Sequence, residues 1–461
     1  YNPTLDAALV RLAGIFPARG VGFILGALQG LNGILLYLLA VRVLPGEGWK
    51  KQLASLALAV AGMTGAGGLA QVGTTFYDAI ISLGVLGSLL ALVAGWDLWI
   101  RASLRRAFPL ILLAGFPVGA AMGLKQPSVI YCIGLCLALL TLPVPFWRRL
   151  FLPFFFGLGI LLGIAVFSGH WMVFLYERFG NPLFPYFNDL FQSPWAMAKD
   201  YRDTQFVPRD WLQRLFLPLY FALDTKKVGE IVFRDFRIPL LFVTLLAGGL
   251  CALLRRQRQG RTGFVLWAIG LSYGAWVLMF CIYRYAVSLE ILAPLGIVLA
   301  IGLLPLSSRI KVWNSAALLL VLMAITVPGT WGRAPWSDRF VEVAVPDYTR
   351  PLKDKTMRVL MTGYQPSSWV IPSFSPEISF IRIQSNFTGP GEKNAFNDRI
   401  RAVLSRPVHY QYVLFVPWEE WAVAPALAAY GLAADRASCQ DVNNNLGEIL
   451  RFCKVTGKGP S

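Results

Sequence analysis

The chain has 461 residues, of which 56% are hydrophobic and only 15% charged, with a formal net charge of +17. Soluble domains carry roughly 25% charged residues, so a purely soluble globular protein is excluded. The surplus of Lys and Arg would suit nucleic acid if it formed a patch, but it recurs between apolar runs and reads as membrane topology.

The chain starts at Tyr1 with no recognisable signal peptide. From there onward, charge-free runs such as 20–41 and 79–96 reach the roughly 20 residues that a bilayer core requires of a helix. Ten spans are predicted, at about 20–44, 53–70, 79–100, 107–123, 127–144, 149–168, 237–254, 263–282, 287–305 and 312–328. The second contains GMTGAGG (62–68) and is expected to be short or bent. Alternate connections hold Arg42, Lys50 and Lys51; Arg101, Arg105 and Arg106; Arg148 and Arg149; Arg255, Arg256, Arg258 and Arg261; Arg309 and Lys311. Glu47 and Asp97 are the only acids beside them, so this set is expected to face the cytoplasm. The other set comprises 71–78, the Lys125 turn, the 170–236 loop with its eight acids and eight bases, and the 283–286 turn. It is expected outside, together with 1–19 and 332–461. Residues 1–19 then read as the end of a first extracytoplasmic loop, with one more span expected upstream of Tyr1.

After Trp331 the composition changes. RVLMTG (358–363), ISFIRIQ (378–384) and YQYVLFVP (410–417) read as strands, NAFNDRIRAVLSR (394–406) and EEWAVAPALAAYG (419–431) as helices. That alternation predicts a small α/β domain, without a Gly-rich phosphate loop. Cys132, Cys136, Cys251 and Cys281 fall in spans, whereas Cys439 and Cys453 fall in this domain. In an oxidising compartment the last two are expected to form a disulfide.

Several polar residues share the external level. Asp78, in QVGTTFYD, reads either as a carboxylate favouring a helix N-terminus or as one facing a substrate cavity. Lys125, in GLKQP, reads as a snorkelling lysine or as a point charge for phosphate. Arg284, in FCIYRYAVSLEILAPL, reads as a partner of Glu290 or Asp78, or as a guanidinium fork for a lipid phosphate flanked by Tyr283 and Tyr285. The aromatic stretch 170–191, WLQRLFLPLYF (211–221) and VFRDFRIP (232–239) read as interfacial segments lying flat on a membrane, or as surfaces that stack on sugar rings or cover a lipid tail. With His170 and His409 the only histidines, no metal-ligand spacing is found; nor is a P-loop, a GxSxG or a kinase motif.

Taken together, YNPTLD (1–6), QVGTTFYD (71–78), GLKQP (123–127), GNPLFPYFN (180–188) and YRY (283–285) resemble the GT-C class of integral-membrane glycosyltransferases. The likeness covers nearly the whole chain as architecture. It implies transfer of a sugar from a polyprenyl-phosphate donor to a glycan, lipid or protein acceptor at the extracytoplasmic face of a membrane, the bacterial inner membrane being the expected one. A carboxylate in the first external loop is the usual base in that class; here only Asp6 remains of that loop, and the principal base is expected upstream of Tyr1. Asp78 resembles the second external acid, and Lys125 and Arg284 resemble donor-phosphate positions, with Tyr283 and Tyr285 beside them. Assistance by a divalent metal is left open, and nucleic acid is not an expected partner. The competing readings are a transporter or flippase for a lipid-linked glycan, which needs the cations but no base, and a non-catalytic membrane assembly subunit.

Overall fold

The computed structural model describes residues 2–257, 260–331, 338–346 and 355–457. Tyr1 and Arg258, named above, lie outside these. The chain divides into two units, Tyr1–Trp171 with Asp203–Arg333, and Met172–Arg202 with Ala334–Ser461. Residues 172–202 of the long connection therefore group with the C-terminal unit.

The helices run in chain order as α1 (Thr4–Ala13), α2 (Ala18–Val43), α3 (Gly48–Met63), α4 (Ala66–Ala70), α5 (Asp78–Ala94), α6 (Trp96–Arg101) and α7 (Leu104–Leu124). There follow α8 (Val129–Leu139), α9 (Phe146–Phe179), α10 (Asn188–Phe191), α11 (Trp211–Leu215), α12 (Leu217–Leu223) and α13 (Arg237–Leu254). The series closes with α14 (Gly260–Met279), α15 (Val287–Leu303), α16 (Ser308–Ile325), α17 (Ala395–Leu404) and α18 (Glu420–Ala428).

Among the described residues seven helices are long and apolar enough to cross a membrane: α2, α7, α9, α13, α14, α15 with its preceding turn, and α16. This is a helical, polytopic integral membrane protein. The other three predicted spans fall short for identifiable reasons. The second is broken where Gly65 adopts extended backbone (φ −69°, ψ 150°), which separates α3 from α4. The third is α5, 17 residues long, or about 26 Å at 1.5 Å per residue. The fifth is an 11-residue helix, α8, entered through a 3-10 turn at Gln126–Ser128.

Between helices there is no hydrophobic gain in lipid, so close approach has to come from small side chains. Gly115 and Gly119 of α7 lie on the backbone of α9 at Phe156 and Ile160, while Gly159 and Gly163 of α9 lie on the backbone of α7. A Cβ at any of the four would collide with that backbone, and one at Gly84 of α5 would strike the carbonyl of Pro117. These contacts fix α7, and hence the start of its exit turn, against two neighbours.

The C-terminal unit carries a five-stranded sheet in the order β2-β1-β3-β5-β4. Its strands are β1 (Met357–Met361), β2 (Ser379–Arg382), β3 (Tyr410–Phe415), β4 (Leu432–Val442) and β5 (Leu450–Gly457). Strand β1 pairs in parallel with both β2 and β3, whereas β5 is antiparallel to β3 and β4. Alternation along β1 sends Val359 and Met361 to a core shared with Val370 and Phe374, and Leu360 to one shared with Ile400 and Val423. The 3-10 turn Ser368–Ser373 thus covers one face, and α17 with α18 the other. A disulfide joins Cys439 to Cys453 across the β4–β5 pair.

Candidate functional site

Asp78 opens α5, Lys125 follows the last residue of α7, and Arg284 lies in the 3-10 turn Tyr283–Ala286 between α14 and α15. These three positions, far apart in sequence, line one small cavity with Ser128, Tyr131 and Tyr285. Its volume is about 10 Å³, the room of roughly one water. Lys125 Nζ lies 2.6 Å from Asp78 Oδ1 and donates to the Phe76 carbonyl at 2.7 Å. The Arg284 guanidinium stands over the Phe76 ring at 4.8 Å, and both cations lie 6.0 Å from the Tyr285 ring centre. The backbone around the cavity is held by polar contacts within the helices. Tyr131 donates its hydroxyl to the Tyr285 carbonyl at 2.7 Å, and Ser288 donates to Ser82 at 2.8 Å.

Two atoms at this cavity are buried without a hydrogen-bond partner, Asp78 Oδ2 and Arg284 Nε. Arg284 is within ion-pair distance of neither Asp78 nor Glu290, so neither pairing considered from the sequence forms. The residue before Asp78 is conformationally unusual. Tyr77 sits in the left-handed region at φ 63°, where a non-glycine residue is uncommon and needs support from its surroundings. Its hydroxyl donates to Asp6 Oδ1 at 3.1 Å. Burial, then the Asp6 carboxylate, push the Tyr77 phenol above its ordinary range. Asp6 itself is exposed on α1 and reaches this cluster through Tyr77.

Tyr283 belongs elsewhere. Its hydroxyl donates to Glu290 Oε2 at 2.7 Å, and both groups are fully buried. The Glu290 carboxylate also accepts the backbone N–H groups of Gly67 (2.9 Å) and Gly68 (2.8 Å). Alongside it, Asp235 accepts the N–H of Ala66 at 2.8 Å and pairs with Arg237. Arg237 donates further to the carbonyls of Ala61 and Thr64 and to the hydroxyls of Thr64 and Thr326. This explains GMTGAGG. The break between α3 and α4 turns three backbone donors towards two carboxylates, and a Cβ at Gly65 would occupy the space of the Glu290 side chain. VFRDFRIP, expected to lie flat at the interface, is corrected accordingly. Asp235 and Arg237 are buried, because each has its charge answered inside the helix bundle. Their spacing (i, i+2 at a helix start) was the available sign.

Among the described residues no group of three or more His, Cys, Asp or Glu is placed to hold a metal ion. Compared with family models, curated proteins and solved structures, the chain matches none.

Proposed function

We propose that the chain is a membrane glycosyltransferase of the GT-C class, moving a hexose or pentose from a polyprenyl-phosphate donor to an acceptor at the extracytoplasmic face of a bacterial inner membrane. The C-terminal unit lies on that same face in this reading. The observation that supports it is the convergence of one carboxylate and two cations, Asp78, Lys125 and Arg284, on one cavity, two of them with an unanswered polar atom. The group carries a formal surplus of one positive charge, which suits an anionic linkage.

The chemistry assigns one role to each residue. Asp78 takes the proton of the acceptor hydroxyl. That oxygen bonds to the anomeric carbon as the bond from this carbon to the phosphate oxygen breaks, and the electron pair leaves with polyprenyl phosphate. Lys125 and Arg284 meet the negative charge that grows on the leaving group. Lys125 is bound to Asp78 in the resting arrangement, so phosphate arrival has to draw Lys125 away and release the carboxylate for its task. Tyr285 lies beside both cations, while Tyr283 serves the Glu290 network.

Purified protein in nanodiscs, given radiolabelled polyprenyl-phosphate hexose and pentose donors with membrane extract as acceptor source, tests this. Transfer is expected, and Asp78→Asn should lower it about 10²–10⁴-fold and Arg284→Ala about 10²–10³-fold, with unfolding temperature unchanged. Full turnover in both variants would sink the assignment. Labelling from outside the cell, by a membrane-impermeant thiol reagent, of a cysteine introduced at the exposed Gln257 would overturn the sidedness.

A further inference from the structure

In the C-terminal unit, the chain leaving β1 crosses to the face covered by Ser368–Ser373, whereas the chain leaving β3 crosses to the face covered by α18. Adjacent parallel strands whose connections diverge in this way open a crevice at their carboxyl ends, where ligands of open α/β sheets are generally found. The residues that border it here are Tyr364 and Gln365 after β1, and Trp418 and Trp421 after β3. Tyr364 and Trp421 stack across the opening, with ring centres 5.9 Å apart and planes 24° apart. Trp418 and Trp421 are 64% and 67% exposed, Tyr364 37%. Large aromatics left in water together are unusual unless something covers them.

The crevice is braced from below. Glu419, buried, accepts the N–H groups of Tyr364 (3.0 Å) and Gln365 (3.1 Å), which ties the two diverging loops together. Gly363 makes room for it, being at φ +85° with its Cα against the Glu419 carboxylate. Gln384 accepts from the Gly363 N–H and donates to the Tyr364 hydroxyl, holding that ring in place. Beneath lie two buried hydroxyls without partners, Thr362 Oγ1 and Ser367 Oγ.

The charge at the opening narrows the choice of ligand. Arg382 is committed to the carbonyls of Gly363, Gln365 and Gln384; Gln365 and Asn386 are exposed beside Tyr364, the Asn386 amide donating to the Tyr364 carbonyl at 3.4 Å. Neutral amides beside flat apolar rings suit a ligand with a C–H face and hydroxyl edges. Glu420, half-exposed on α18, is paired with Arg436 and Arg451, and Glu419 is buried on backbone N–H groups, so the charges near the rings are answered within the domain.

We infer that this crevice binds a neutral oligosaccharide, with pyranose rings stacked on Trp421, Trp418 and Tyr364 and hydroxyls bonded to Gln365 and Asn386. This goes beyond the transferase reading and does not depend on it, since binding is measured without a donor lipid.

The full chain in detergent micelles is titrated with maltohexaose, cellohexaose and chitohexaose by calorimetry. Saturable binding of at least one is expected. Trp421→Ala should weaken it about tenfold, as removal of a central aromatic contact does, and Trp421→Tyr should restore most of it. Near-ultraviolet circular dichroism of each variant monitors the fold. Absence of saturable binding to all three sugars overturns the proposal, as does equal affinity in the folded Trp418→Ala/Trp421→Ala variant. A third overturning result comes from nanodiscs. If brominated lipids quench the fluorescence of the wild type but not of the folded Trp418→Phe/Trp421→Phe variant, the rings lie in a membrane instead.

Discussion

Asp235, Arg237 and Glu290 are enclosed in the helical unit, and none of their buried side-chain atoms lacks a partner. Asp78, Lys125 and Arg284 lie in the same unit, line a cavity, and leave two polar atoms unanswered. Both groups mix carboxylates with cations, yet they differ in completeness. A fully satisfied buried network rigidifies the fold around it, and removing one member exposes the others to an uncompensated loss. An incompletely satisfied group next to a cavity has unused bonding capacity for a ligand. The difference teaches that ionisable residues among apolar spans have to be sorted by their unmet bonds before a role is assigned. By that measure Tyr283 and Arg284, neighbours in sequence, serve different ends.

The sharpest way to break this contrast is Arg237→Met. It leaves the buried Asp235 carboxylate without its cation and should cost about 3–5 kcal/mol, seen as a lower unfolding midpoint in detergent and a reduced yield of monodisperse protein. If that variant is as stable as wild type but inactive, the satisfied network is catalytic and the sorting fails. Gly65→Ala comes next. A methyl group in the space of the Glu290 side chain should cost up to about 3 kcal/mol, again in unfolding midpoint and with turnover per folded molecule preserved. Tyr283→Phe is the smallest. Losing one of the three donors to Glu290 should cost about 1.5 kcal/mol and leave transfer by the folded fraction intact. A hundredfold loss of transfer there would return Tyr283 to the cavity.

How much of this could be read from the residues depended on whether each signal was local. Asp78, Lys125 and Arg284 stood out because each sits where an apolar run ends, and the alternation of charge placed all three at one level. The partners of Glu290 were hidden, since Gly67 and Gly68 lie more than 200 positions away and contribute only backbone groups, which carry no side-chain signature. The break at Gly65 was visible as glycine content, but its purpose was not. Strands β1, β2 and β3 announced themselves by apolar runs within one or two residues of their ends. The β4–β5 hairpin did not, because LAADRASCQDV is polar at about half its positions and fully buried only at Val442, as an edge strand can be when a disulfide and a long partner hold it. α5 and α8 were expected to be longer, since hydropathy does not reveal where a turn interrupts the helical hydrogen bonds.

The glycines between α7 and α9 also limit how the cavity can respond to a ligand. Two helices whose main chains touch have no compressible layer of side chains between them, so one cannot slide or tilt past the other without steric collision. An opening that leaves the α7–α9 contact intact is available to Lys125 through rotation about its own four methylene bonds, a displacement of a few ångströms completed far faster than a rigid-body rearrangement. A lysine mounted on an unyielding plate of this kind acts as a swinging latch rather than a hinge.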